Sequence, residues 1–263
     1  MLRYSDANTK LKKLYKVEAL ADWLKFGRWD RGAKVYSLDL LSGWSCPFAK
    51  ECKSKVYETG ELTKSGNNRV YLRDGVDTVF RCFSASQEAL LPNVYNKRKA
   101  NYELLKSCKS VDEMTDEMEM ALPVDAGIVR QHVGGDFFND NYLRAWLGLA
   151  SRRPNTLFYA YTKSLAFWVN HLDEINSFDN VVLTASRGGH QDYLIERHNL
   201  RESVVVYSEQ EAADMGLEID NDDSHAALNG GDFALLIHGT QPKGSEAGKA
   251  VRELKGVGSY GRK

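Results

Sequence analysis

Four cysteines punctuate the chain, and three of them stand where sulfur could do chemistry. Cys46 and Cys52 bracket the loop "CPFAKEC", and Cys82 follows thirty residues later between aromatics in "FRCF". Thiolates suit zinc or iron–sulfur ligation, because both favour sulfur ligands. The spacing of the first two is wider than a C-x₂₋₄-C zinc knuckle, yet it can bracket a tight loop around a metal. Cys82 can join them if the intervening segment is an excursion that returns to its base. Three thiolates leave a tetrahedral site, or one iron of a four-iron cluster, with the open position that catalysis needs. The plain alternative is three small buried hydrophobes. Cys108, in a segment rich in Leu and Lys, reads as an ordinary cysteine.

A second set of polar residues follows a series of apolar runs. "GIVRQHV" ends in Gly134, Gly135 and Asp136; "TLFYAY" leads into Lys163; "NVVLTA" leads into Ser186 and Arg187; "SVVVYS" leads into Glu209. Asp136 is a candidate catalytic or cofactor-binding carboxylate, or else a helix-entry acid favoured by the macrodipole. Lys163 and Arg187 suit an anionic group, or are ordinary surface cations. Gly134, Gly135, Ser186 and Glu209 complete a functional rim at the strand ends, or else are ordinary connections and turn residues. Asp220, Asp222, Asp223, His225, Asp232 and His238 crowd one further segment, where an Asn/Asp-rich turn is favoured over a divalent-ion site.

The elements that must position these residues are legible in outline. Apolar runs of five or six residues alternate with amphipathic segments, which indicates parallel strands with helical crossovers. Ligands in such α/β folds sit at the carboxyl ends of the strands. We therefore expect a parallel β/α barrel, partial or full and TIM-like, in a single domain over 1–263. Turn signals within 53–79 predict an inserted β-hairpin. Leu11, Leu14, Leu20 and Leu24 predict a first α-helix, and the basic, Gly-rich 255–263 predicts a frayed tail.

Composition bounds the partners. With 263 residues and a net charge of −1, no global basic field recruits nucleic acid, although "NKRKAN" and "ASRRP" are local basic segments. No apolar run approaches the roughly 18 residues of a membrane span, and the N-terminus lacks an apolar signal core. Four cysteines without an export signal argue against a disulfide framework. A cytoplasmic protein is expected.

The segments "GWSCPFAKEC", "RQHVGGDFFNDNYLRAW", "LTASRGGHQD" and "FALLIHGTQPKGSEAGKA" resemble the phage "gene product 88" family over nearly the whole chain. More distantly, the order of the cysteines, Asp-Phe and "FYAYTKS" is similar to a radical-SAM-like phage family. That resemblance implies a [4Fe–4S] cluster on Cys46, Cys52 and Cys82. It also implies S-adenosylmethionine beside Gly134, Gly135 and Asp136. The usual C-x₃-C-x₂-C is absent. With a phage origin, a nucleobase in DNA or RNA becomes the expected substrate. The rivals are a transglycosylase-like barrel enzyme with Asp136 as nucleophile or base and a structural zinc, and a non-catalytic phage binding protein.

Overall fold

The computed structural model describes residues 1–25 and 32–254. The expected basic tail lies outside the described residues. Strands are β1 (Ser5–Asp6), β2 (Lys34–Leu38), β3 (Ser54–Leu62), β4 (Asn68–Asp74), β5 (Ala126–Gln131), β6 (Leu157–Thr162), β7 (Val181–Ser186), β8 (Glu202–Val206), β9 (Glu218–Ile219) and β10 (Phe233–Leu236). Helices are α1 (Phe83–Leu90), α2 (Pro92–Ser107), α3 (Val111–Ala121), α4 (Asp140–Arg152), α5 (Leu165–Asn170), α6 (Leu172–Asn176), α7 (Tyr193–His198), α8 (Glu209–Asp214), α9 (Ser224–Ala227) and α10 (Glu246–Glu253).

Among the described residues, eight strands form one sheet in the order β1-β2-β5-β6-β7-β8-β10-β9. Every pairing from β2 to β9 is parallel, and only β1 runs antiparallel, on β2. Strands β2, β5, β6, β7, β8 and β10 are thus neighbours in chain order, without the reversal of order that marks a doubly wound sheet. The fold is mixed α/β with a mostly parallel sheet. The expected barrel, partial or full, does not close among the described residues, since β1 and β9 are the edges of the sheet and no pairing joins them. Each has only two residues, too few to carry a ladder round to the other side.

Period-2 alternation assigns the two faces of the sheet. Tyr36, Val129, Phe158, Ala160, Leu183 and Ala185 pack with α3, α4, α5 and α7 in the larger core, around the fully buried Trp146 and Tyr142. Val35, Ile128, Leu157, Tyr159, Val182 and Phe233 face the other way, onto Leu11, Leu14, Leu20 and α9. The N-terminal segment that covers this second face is not the α-helix expected. It forms two 3₁₀ helices, Leu11–Lys16 and Glu18–Leu24, with Val17 extended between them. Leu11, Leu14, Val17 and Leu20 recur every third residue, the repeat that a 3₁₀ helix presents to one side.

Between the second and third cysteines, β3 and β4 pair as a separate antiparallel hairpin. Val56, Val70 and Leu72 anchor it to Leu41 and Tyr95. The helical stretch after Cys82 breaks at Leu91, held extended ahead of Pro92. No helix among the described residues is long and apolar enough to cross a membrane.

Candidate functional site

A cavity of about 410 Å³ lies at the carboxyl ends of the parallel strands. Its wall includes Cys46, Cys52 and Cys82, together with Gly134, Gly135, Asp136, Lys163 and Ser186. Two groups that are far apart in the chain therefore share one space. Arg187 and Glu209 are not part of that wall, and neither is Cys108, whose thiol donates to the Leu104 carbonyl at 3.4 Å.

The cysteine side is built by loop packing. The loop after β2 turns at Gly43, whose φ of 71° lies in the left-handed region. A Cβ there would stand 2.2 Å from the Ser54 carbonyl oxygen, so only glycine fits against the hairpin base. The Gly43 amide donates to Cys46 Sγ at 3.3 Å. Cys82 occupies the N-cap of α1, where its sulfur makes no capping hydrogen bond. Burial dominates both thiols. It pushes Cys46 well up, reinforced by Asp136, Cys82 and Cys52, and it pushes Cys82 up to about 12, reinforced by Cys52. Without a cation these sulfurs hold their protons; a bound metal would displace them. Burial lowers the Lys53 amine, which donates to the Cys46 carbonyl.

A buried ion pair ties the two cysteine segments together. Glu88 Oε1, from α1, accepts from Ser42 N at 3.0 Å, Ser42 Oγ at 2.7 Å and Arg98 Nη1 at 3.1 Å. Arg98 also donates to the Ser84 carbonyl at 3.1 Å. The basic segment "NKRKAN" thus sends Arg98 inward as a brace, and it is only 3% exposed.

The strand-end side is more tightly bonded. Gly134 and Gly135 are required by proximity: a Cβ on Gly134 would meet Ser84 Oγ at 2.1 Å, and one on Gly135 would meet Ser45 Oγ at 2.7 Å. The glycine pair lets the end of β5 press against both cysteine segments. Asp136 Oδ1 accepts from Phe137 N at 2.7 Å and Thr162 Oγ1 at 2.6 Å, and Oδ2 accepts from Lys163 N at 2.8 Å. Burial raises its carboxyl to about 6 against those three hydrogen bonds. Asp136 therefore ties the end of β5 to the end of β6, a different task from entering a helix.

Lys163 Nζ donates to the carbonyls of Ser186 and Arg187, each at 2.6 Å, and to Ser186 Oγ at 2.8 Å. It joins β6 to β7 rather than presenting an open ammonium group. The Arg187 guanidinium pairs with Glu196 at 2.7 Å and Glu202 at 2.8 Å, outside the cavity. Glu209 lies exposed in the first turn of α8.

His238, read from the sequence as a strand-end residue, lines the remaining wall, and sequence reasoning missed Lys10, Arg130 and His132 beside it. His132 holds a φ of 67°, and its Nε2 lies 3.0 Å from the Tyr142 hydroxyl. Burial, aided by Arg130, lowers it to about 3, which keeps the imidazole neutral. Arg130 pairs with Asp223 and stands 5.0 Å over the Tyr161 ring. Burial opposes ionisation of Asp223, but Arg130 and Lys10 outweigh it and hold the carboxyl at about 2. Asp220 and Asp222 accept from backbone amides two residues on, as in Asx turns.

The three thiols fit a sulfur-ligated group in donor type, in their shared cavity and in the Gly43 amide aimed at Cys46. They are not closed on one point. Among the described residues, no three His, Cys, Asp or Glu side chains are grouped to hold a metal ion.

No curated protein and no solved structure matches the chain. The family model for gene product 88 matches residues 2–254. The chain belongs to the gene product 88 family, the phage family whose motifs it carries.

Proposed function

We propose that the protein is a radical-SAM-like enzyme on an open, singly wound β/α barrel, acting on a nucleobase in DNA or RNA. One observation carries the reading: three free thiols meet Gly134, Gly135, Asp136 and Ser186 around one cavity at the strand ends. Two contributions come from consecutive parallel strands, the cysteine loop after β2 and the Gly-Gly-Asp after β5.

In this reading Cys46, Cys52 and Cys82 hold a [4Fe–4S] cluster. When bound with S-adenosylmethionine, the cluster supplies reductive radical chemistry that no side chain can perform. The chain's own residues do the positioning. The Glu88–Arg98 pair fixes the two cysteine segments relative to each other. Gly134 and Gly135 let the end of β5 pack against both cysteine segments, and Asp136 supplies the negative charge at that end of the cavity. Lys163 holds the β7 end, and with it Ser186, at the cavity wall. The neutral His132 offers a hydrogen-bonding group without adding charge. In the zinc-containing transglycosylase-like alternative, Asp136 would act as nucleophile or base. Its three hydrogen bonds and 4% exposure weigh against attack from that carboxylate.

Anaerobic purification and reconstitution, followed by iron, sulfide and zinc analysis, tests the reading. We expect about four irons per chain, as a four-iron cluster requires. Cys46→Ala, Cys52→Ala and Cys82→Ala should each lose most of that iron, and Cys108→Ser should lose none. One zinc per chain would favour the alternative. Reconstituted protein with no metal, or iron unaffected by the three alanine variants, would overturn the cluster.

A further inference from the structure

The hairpin carries a feature that the cavity does not explain. Its inward side is spent on anchoring, through Val56, Val70 and Leu72. On the other side the register sets Lys55 opposite Arg73 and Tyr57 opposite Tyr71. Tyr57 and Tyr71 stack with ring centroids 5.4 Å apart and planes 17° from parallel. Trp44, from the cysteine loop, meets Tyr57 edge-on at 5.1 Å, and Lys55 Nζ stands 4.4 Å over the Trp44 ring. The rings remain open to solvent at the ends of the row: Tyr71 is 50% exposed and Trp44 39%.

Cross-strand tyrosines also stabilise hairpins, so the rings alone decide little. The charges decide more. Like charges placed directly opposite each other on a hairpin are unfavourable. Neither Lys55 nor Arg73 forms an ion pair among the described residues. A polyanion with flat, unpaired rings answers both features, with phosphates for the cations and bases for the aromatic row. In a duplex the bases are already stacked and cannot reach the rings. We infer that this face of the hairpin binds single-stranded nucleic acid. The hairpin joins Cys52 to Cys82, so a strand held there lies on the segment whose base helps to wall the cavity. Binding through this face needs no metal, and its test is independent of the cluster reading.

The full-length, metal-free protein is titrated into fluorescein-labelled oligo(dT) and oligo(rU) of about 12 nucleotides, within the span of known single-strand sites. A duplex of equal length is titrated in parallel, and all are read by anisotropy. We expect either single strand, or both, to bind more tightly than the duplex, and the two arms show which sugar is preferred. Tyr71→Ala should weaken binding about tenfold, within the range for loss of one stacking ring, whereas Tyr71→Phe should retain it. Arg73→Ser should lower the slope of log K against log salt by about one. Equal binding by wild type and Tyr71→Ala, duplex binding as tight as single-strand binding, or no binding to either strand would overturn the inference. Loss in both Tyr71→Ala and Tyr71→Phe would also overturn it, because the ring would then not be what the ligand contacts.

Discussion

The two sides of the cavity are made of different material. On the strand-end side Asp136 and Lys163 use their polar atoms on neighbouring backbone and side chains, and they bind β5, β6 and β7 to one another. On the cysteine side the three thiols are free, and the Gly43 amide donates to Cys46 Sγ. A buried polar group that is fully bonded is architecture, because moving it leaves its partners unsatisfied. A set of thiols facing a cavity has capacity left over. The contrast separates residues that hold the site from residues available to a ligand, although both were candidates on chemical type alone.

The contrast breaks most readily at Lys163. Its removal leaves two carbonyls that had accepted a buried ammonium. Lys163→Met should therefore cost about 3 kcal/mol of stability, the scale for charged hydrogen bonds lost inside a protein. Cys52→Ala, measured on metal-free protein, should cost less than about 1 kcal/mol, because a small, partly exposed side chain leaves little unsatisfied. Urea denaturation of both variants checks the pair. Similar losses would mean that the thiol is as structural as the lysine.

How much of this was legible in the sequence follows from what each signal encodes. Hydrophobic runs revealed β5, β6 and β7, since buried parallel strands need apolar residues on both faces. The hairpin was legible from its turn residues. The 3₁₀ helices were missed because leucines at intervals of three and four serve either helix type over a few turns. Closure stayed open between a partial and a full barrel because nothing local reports whether the last strand reaches the first. Arg187 and Glu209 were placed at the rim by their distance after a strand, but Glu202 and Glu196 claim the Arg187 side chain. Arg130 left a signal that could have been used: a cation inside the apolar run "GIVRQHV", in register with Ile128, must point into a cavity or meet an acid. It does both, through a wall position and Asp223.

Asp136→Asn sharpens the contrast through pH. In the folded protein Asp136 keeps its proton up to about 6, against an ordinary value of 3.8. Between those values the folded state binds more protons than the unfolded state, so this residue's contribution to stability falls as pH rises through the window and levels off above it. The asparagine side chain does not titrate, but its amide nitrogen would face the Lys163 N–H, a donor against a donor. The variant should be less stable than wild type by about 1–3 kcal/mol at pH 4, the cost of an unsatisfied buried group. The gap should narrow towards pH 7 as the wild-type carboxyl ionises at its own expense. Parallel urea titrations at pH 4, 5, 6 and 7 read the difference. A gap that stays constant would show that the carboxyl is not the group titrating.

Arg187→Gln is the smallest expected effect and the finest test of which atoms matter. Arg187 touches the site through its carbonyl oxygen, which accepts from Lys163 and which every residue possesses. Its guanidinium turns to Glu196 and Glu202 and is one-third exposed. An exposed pair contributes from nothing to about 1 kcal/mol and weakens with salt. The variant should therefore lose less than about 1 kcal/mol at low salt and still less in 1 M sodium chloride. Lys163→Met should lose a similar amount in both, because a bond buried at 6% exposure is poorly screened. A salt-independent loss in Arg187→Gln approaching that of Lys163→Met would place the guanidinium within the wall of the cavity. The division between bonded architecture and available thiols would then have to be redrawn to include it.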